Sequence, residues 1–166
     1  MGALPLSAQA GAAPAADGSA RSIALRSANT GERLDVTYWH DGRLDLGALG
    51  RLDALMRDWR NDAVTHIDPA LYDIIWSLGR AVGQDPEVTV LCGYRSPETN
   101  EMMIRAGRRG VARDSMHIQG RAADISVPGA GLGALRDAAL ALQAGGVGYY
   151  PSSNFVHVDT GAVRSW

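Results

Sequence analysis

The sequence predicts an α+β domain: a small central antiparallel sheet flanked by helices. Three observations carry that prediction. Segments that alternate with period two, around residues 32–39 and 154–159, are interleaved with segments repeating at three and four residues, 45–59 and 68–83. Strands and helices do not alternate in the strict order a doubly wound fold requires. At 166 residues the chain suits one domain, and a domain of about this size buries roughly 68–70% of its unfolded surface.

The elements follow in order. Residues 1–20 are mostly Ala, Gly, Ser and Pro, a composition that buries little side-chain area and is expected to be disordered. Within it, Ser7-Ala8-Gln9-Ala10 resembles the small-residue zone of a secretory signal, although a charged start and a full apolar middle are missing. The segment therefore reads as a signal remnant or a linker, and residues 21–166 as the folded domain. Glu32 to Trp39 alternates polar with apolar residues and is expected to be a strand. His40-Asp41-Gly42-Arg43 follows as a tight turn punctuated by Asp-Gly, with His40 in solvent. Leu46, Leu49, Leu52, Leu55, Met56 and Trp59 line one face of a helix spanning 45–59. Asn61 to Ile67 is a loop, in which His66 has no partner at metal-binding spacing.

Asp68-Pro69 marks a helix start, since Asp caps and Pro fits the first helical position. That helix ends near Gly83. Val88 to Leu91 is a short apolar strand leading to Gly93-Tyr94-Arg95-Ser96, and Ser96-Pro97 opens a helix to about Ala106. Gly107 to Asp114 is a glycine- and arginine-rich loop expected to be mobile and near the site. Ala122 to Val127 reads as a strand of small residues, followed by a helix carrying Leu135, Ala138, Ala139 and Leu142. Gly145 to Pro151 leads into the last strand, Asn154 to Asp159.

Composition excludes several classes. Net charge is −2, and all 16 basic residues are arginines spread along the chain. Without a basic stripe or aromatic-interleaved run, nucleic acid is not an expected partner. No apolar run approaches the roughly 20 residues of a membrane span. Cys92 is the single cysteine, which rules out an internal disulfide framework or an all-thiolate metal site. Following Val88-Thr89-Val90-Leu91, it reads as a small core hydrophobe. A monomer is expected.

The chemistry concentrates in Ser115-Met116-His117-Ile118-Gln119-Gly120-Arg121-Ala122-Ala123-Asp124 and in Phe155-Val156-His157-Val158-Asp159. His117, Asp124 and His157 supply two imidazoles and one carboxylate, the donor set of a catalytic zinc ion with its fourth position left to water. Such a site retains a charge of about +1, which suits acidification of water to a pKa of about 7. Asp159 shares a strand face with His157, their Cα atoms about 6.6 Å apart at roughly 3.3 Å per residue. That spacing suits an outer partner of His157 or a base taking a proton from water.

These residues resemble a family pattern. Ser115-x-His117-x-x-Gly120-x-Ala122-x-Asp124 with a later His, and upstream Gly93-Tyr94-Arg95-Ser96 followed by Asn100, resemble peptidase family M15, the zinc D-Ala-D-Ala carboxypeptidase and murein endopeptidase group. Leu34-Asp35-Val36-Thr37-Tyr38, Gly145-Gly146-Val147-Gly148-Tyr149-Tyr150-Pro151 and Val163-Arg164-x-Trp166 extend the likeness to its DUF882 branch from about residue 23 to 166. The resemblance implies a fold shared with the hedgehog signalling domain, one Zn²⁺ per chain on His117, Asp124 and His157, and hydrolysis of peptide cross-links in bacterial peptidoglycan. It also implies that Arg95 polarises or holds a substrate carbonyl or carboxylate, while Ser115 and Asn100 contact substrate and Ser115 alternatively buttresses His117. Peptidoglycan as substrate implies a periplasmic or cell-envelope location. One position departs from the pattern: where several members carry an acid three residues before the last ligand, this chain has Asn154. Asp159 is then the candidate catalytic base. A carboxypeptidase or dipeptidase acting on stem peptides, and a non-catalytic zinc-containing wall-binding module, are the alternatives the motifs leave open.

Overall fold

The computed structural model describes residues 20–83, 86–108 and 110–166; the expectation for the Ala-rich start therefore lies, but for Ala20, outside the described residues. Its strands are β1 (Arg21–Ser27), β2 (Arg33–His40), β3 (Arg43–Leu44), β4 (Val88–Cys92), β5 (Ala122–Ser126), β6 (Gly146–Tyr150), β7 (Phe155–Asp159) and β8 (Arg164–Ser165). The helices are α1 (Leu46–Leu55), α2 (Pro69–Val82), α3 (Pro97–Arg105) and α4 (Leu132–Leu142). All strands join one sheet in the order β3-β2-β1-β4-β5-β7-β6-β8. The α+β expectation holds, with a larger and mixed sheet: β1·β4 and β6·β8 pair parallel and the other neighbours antiparallel.

Alternation sorts the sheet into two faces. Ile23, Leu25, Val36, Tyr38, Val88, Val90, Ala123, Ile125, Val147, Val156 and Val158 belong to one buried apolar cluster with Leu52, Leu71, Ile75 and Leu78 of the helices. α1 covers β2, α2 covers β1, and α4 packs on β6, β7 and α2. The opposite face, over β5, β7 and β6, carries Asp124, His157, Asp159, Gly146 and Gly148. The buried layer thus supplies a rigid floor, and the chemistry stands on its other side.

Local signals explain most boundaries. Asp41 (φ 50°) and Gly42 (φ 76°) both adopt the left-handed conformation, as a two-residue hairpin turn requires, and pair His40 with Arg43. Asp68 caps α2 by accepting from the Ala70 amide (3.0 Å), and Ser96 caps α3 from the Thr99 amide (3.2 Å). α1 is shorter than the predicted 45–59. Beyond Met56 the chain is drawn away by the buried Asp58 carboxylate, which accepts from the amides of Arg60 (3.1 Å) and Ser96 (2.9 Å). Trp59 accordingly leaves the core and is 40% exposed. Four strands were not anticipated: β1, the short β3, β6 inside the glycine run, and β8.

Candidate metal centre

Antiparallel pairing of β5 with β7 sets Asp124 opposite His157, so both side chains leave the sheet on the same face. His117 comes from the turn that precedes β5. Gly120 makes that turn possible: its φ is +67°, and a Cβ there would lie 2.5 Å from the His66 carbonyl oxygen. The three predicted ligands converge. His157 Nδ1 lies 2.9 Å from Asp124 Oδ1 and 3.2 Å from His117 Nε2, and His117 Nε2 lies 3.3 Å from Asp124 Oδ1. All three residues are buried.

The outer contacts fix which ring nitrogens face inward. His117 Nδ1 donates to the Gly93 carbonyl (2.8 Å), which only accepts. His157 Nε2 donates to Asp159 Oδ2 (3.2 Å). Burial works against ionisation of Asp159, but His157, Arg164 and the Gly161 and Gly146 amides outweigh it and hold its pKa well below the usual carboxylate range. Each imidazole therefore turns a lone pair toward the other and toward Asp124. Two lone pairs and a carboxylate oxygen this close need a cation between them, and imidazole with carboxylate suits zinc. In the zinc-free protein a proton meets part of that need. Burial lowers the His117 pKa, yet Cys92 and Asp124 beside it raise it well above that of an ordinary imidazole. Burial works against ionisation of Asp124, but His117 and His157 outweigh it and take its pKa well below the usual carboxylate range.

Cys92 corrects the sequence reading of a core hydrophobe. Between Val90, opposite Ile125, and Cys92, opposite Asp124, the register shifts. The surplus residue, Leu91, is a β-bulge that turns Cys92 from the apolar face to the site face. Cys92, His117 and Asp124 can bring donor atoms within 4.8 Å of one another.

Arg95 is buried (8% exposed). Its Nη1 donates to Asn100 Oδ1 (3.2 Å) and its Nη2 to Cys92 Sγ (3.5 Å), while Nε has no partner among the described residues. Among the described residues it has no carboxylate partner, so this buried guanidinium is suited to an incoming carbonyl or carboxylate. Asn100 does not line the cleft as expected: its oxygen holds Arg95 and its Nδ2 donates to the Ala112 carbonyl (3.0 Å). Ser115 lines the cleft, and its hydroxyl accepts from the His117 amide (3.3 Å). Asp159 does not line the cleft and bonds instead to His157 Nε2 behind it. Asn154 is exposed with φ 54° and does not line the cleft either.

The centre opens into a cleft of about 480 Å³, lined among others by Arg60, Arg108, Asp114, Tyr150, Arg164 and Trp166. The loop from Gly107 to Asp114 forms one wall, as expected of a segment near the site; Arg109 within it lies outside the described residues. Sequence reasoning did not name Arg60, which bears no spacing signal, and reached Asp114 and Tyr150 only as members of the Gly107 to Asp114 loop and the Gly145 to Pro151 run. A smaller depression of about 270 Å³, by Ser22, Asp35, Trp76 and Arg80, contains no His or Cys. His66 sits apart, bonded through Nδ1 to Asp53 Oδ2 (3.1 Å), and His40 lies in its turn.

Comparison with known proteins adds the following. A family model described as peptidoglycan L,D-endopeptidase MepK matches residues 15–166. A probable peptidoglycan L,D-endopeptidase MepK of Haemophilus influenzae is 44% identical over 147 residues, covering 88% of this chain and 78% of that one. The peptidoglycan L,D-endopeptidase MepK of Escherichia coli is 42% identical over 147 residues, covering 88% and 80%. Among solved structures, the L-Ala D-Glu endopeptidase ChiX of Serratia marcescens aligns at a TM-score of 0.38 and 24% identity, covering 46% of this chain and 62% of that one, too little to carry an argument.

Proposed function

The chain belongs to the peptidoglycan L,D-endopeptidase MepK family, and from that premise we propose that it is a zinc-dependent endopeptidase hydrolysing peptide cross-links of bacterial peptidoglycan. The observation that carries the metal chemistry is the convergence of His117 Nε2, His157 Nδ1 and Asp124 Oδ1 within 3.3 Å, each lone pair directed inward by an outer contact. These three residues hold one zinc ion per chain. A zinc ion so held supplies Lewis acidity toward water and toward an amide carbonyl.

The chain's own groups do the rest. Arg95 offers its unpaired Nε and its fork to the substrate carbonyl or to a neighbouring carboxylate, in a pocket where burial strengthens the interaction. Asn100 and Ser115 keep Arg95 and His117 in place. Of the two roles the sequence left open for Asp159, the orienting one fits better: an ionised carboxylate already accepting five hydrogen bonds from four residues is a poor proton acceptor. Peptidoglycan lies in the cell envelope, so the enzyme acts there; no described helix is long and apolar enough to cross a membrane.

Digestion of purified zinc-loaded protein with dimeric muropeptides, joined by either an L,D or a D,D cross-link, tests this reading. Mass analysis is expected to show monomers from the L,D-linked dimer, lost with EDTA and recovered with zinc. Unchanged dimers of both kinds would refute it.

A further inference from the structure

Two sequence features are left without a role by the centre itself: the Gly145-Gly146-Val147-Gly148 run and the Val163-Arg164-x-Trp166 segment. The fold brings them together behind His157. β8 lies parallel to β6, with Gly146 opposite Arg164 and Val147 opposite Ser165. The Trp166 amide donates to the Val147 carbonyl (3.2 Å), and the Tyr149 amide to the Trp166 carbonyl (3.0 Å). From this strand the Arg164 guanidinium reaches Asp159 with two nitrogens, Nη2 to Oδ2 at 2.6 Å and Nη1 to Oδ1 at 3.1 Å. The amides of Gly146 (3.1 Å) and Gly161 (2.8 Å) complete Oδ1. Asp159 is 1% exposed, so its charge depends on these donors rather than on water.

Trp166 closes the arrangement from outside. Its indole lies 5.0 Å from the Arg164 guanidinium carbon and 5.3 Å from the His157 ring, and its Nε1 donates to the Tyr150 hydroxyl (2.7 Å). The glycines make the space. A Cβ on Gly146 would stand 2.4 Å from Arg164 Nη1 and 2.5 Å from Asp159 Oδ2; one on Gly148 would stand 2.8 Å from the Trp166 ring.

We propose that Arg164, backed by Trp166 over side-chain-free Gly146 and Gly148, is a positioning residue that orients the metal ligand His157 through Asp159. The guanidinium fork and the two amides fix the Asp159 carboxylate, leaving Oδ2 aimed at His157 Nε2 as an acceptor. The ring proton is thereby held on Nε2, and the Nδ1 lone pair faces Asp124 and His117. The inference rests on the proposed reading of His157 as a zinc ligand, and adds that its ring orientation is set from β8. The geometry is that of a ligating imidazole bonded to an outer carboxylate, whose loss typically lowers metal affinity or activity 10- to 100-fold.

The test uses R164A, R164K, W166A and, as control, H157A in the full chain. Zinc affinity is measured by chelator competition, the His157 ring nitrogens by nitrogen-15 NMR, and folding by circular dichroism. R164A is expected to bind zinc about 10- to 100-fold more weakly, with its zinc-free His157 proton spread over both nitrogens. R164K, which keeps the charge without the fork, is expected to recover part of the affinity. W166A, changed at a side chain 52% exposed, is expected to fold and to show a smaller loss. Zinc affinity unchanged in both R164A and W166A, or zinc on His157 Nε2 in the unmodified protein, overturns the proposal. If R164A does not fold, W166A and the unmodified protein decide the matter. H157A with undiminished zinc affinity would instead remove the reading of the centre; loss in H157A with none in R164A and W166A removes only this inference.

Discussion

His117 and His157 meet edge to face with ring centroids 5.0 Å apart, but opposite kinds of support bring them there. His117 is held by the main chain: the Gly93 carbonyl takes its Nδ1 proton, and its own carbonyl accepts from the Arg95 amide (3.2 Å). His157 is held by side chains, through Asp159 to Arg164. A backbone carbonyl carries no formal charge to titrate and is present whatever residue stands there. A carboxylate held by a guanidinium can be changed by one substitution at either end. One imidazole is thus secured by the path of the chain, the other by a charge pair.

The sharpest way to break this contrast is to remove the rings themselves. H117A and H157A are both expected to lose bound zinc and to fall to the turnover of the metal-free protein, measured by metal content and muropeptide digestion. Retained zinc in either would show that its ring is not a ligand. The supports should then separate. D159N keeps the shape beside His157 without the charge, and is expected to weaken zinc binding about 10- to 100-fold while the fold persists. G93A has the opposite signature. A Cβ there would lie 2.5 Å from the Met56 carbonyl oxygen, so the main-chain grip gives way only with the fold around it, at about 1–3 kcal/mol of stability, read by denaturant titration. Equal stability losses in the two variants would erase the distinction.

Titration sharpens the contrast further. The His117 pKa is raised above its usual 6.5, so a proton competes with zinc at Nε2 beyond that pH, and zinc affinity should keep rising with pH above 6.5 rather than levelling there. The same shift contributes stability to the zinc-free protein that is full below the unfolded pKa and is lost as pH rises through the raised one. Asp124 and Asp159 are lowered, and their contribution is present above the unfolded value and lost as pH falls through the folded one. Denaturant midpoints of the zinc-free protein across pH should decline at both ends, and zinc should protect the alkaline side. The smallest effect expected is that of N154D. Because Asn154 is exposed in a left-handed turn outside the cleft lining, restoring an acid there should leave turnover unchanged; a large gain would place that position within reach of the substrate.

The convergence of His117, Asp124 and His157 was legible in the sequence because each residue carried a local cue and all three matched the family pattern. His117 preceded a glycine-broken turn, Asp124 stood in a strand of small residues, and His157 lay in an alternating segment. Antiparallel pairing then needed only a neighbouring register to unite them. Other parts were illegible for physical reasons. Alternation along Val88 to Cys92 assigns the thiol to the core, and only pairing with β5 reveals the surplus Leu91. Glycines lower strand propensity, so β6 reads as a connection, although its missing side chains are what admit Arg164 and Trp166. α1 ended early because Asp58 accepts amides from a segment 38 residues away, which no helical period discloses. The parallel β1·β4 and β6·β8 pairings are likewise properties of the assembled sheet.

The surplus residue at Leu91 has a consequence for how this chain tolerates a change in strand pairing. Pairing β4 with β5 at the same length but without the bulge would set Leu91 opposite Asp124, swing the thiol into the hydrocarbon layer and pull the Gly93 carbonyl and the Arg95 guanidinium out of phase with β5. Surface loops elsewhere can lengthen or shorten at modest entropic cost, but this strand sets the phase between packing and chemistry. An ordinary run of valine, leucine and cysteine therefore hides the spot where the loss of one irregularity costs the centre two of its supports at once.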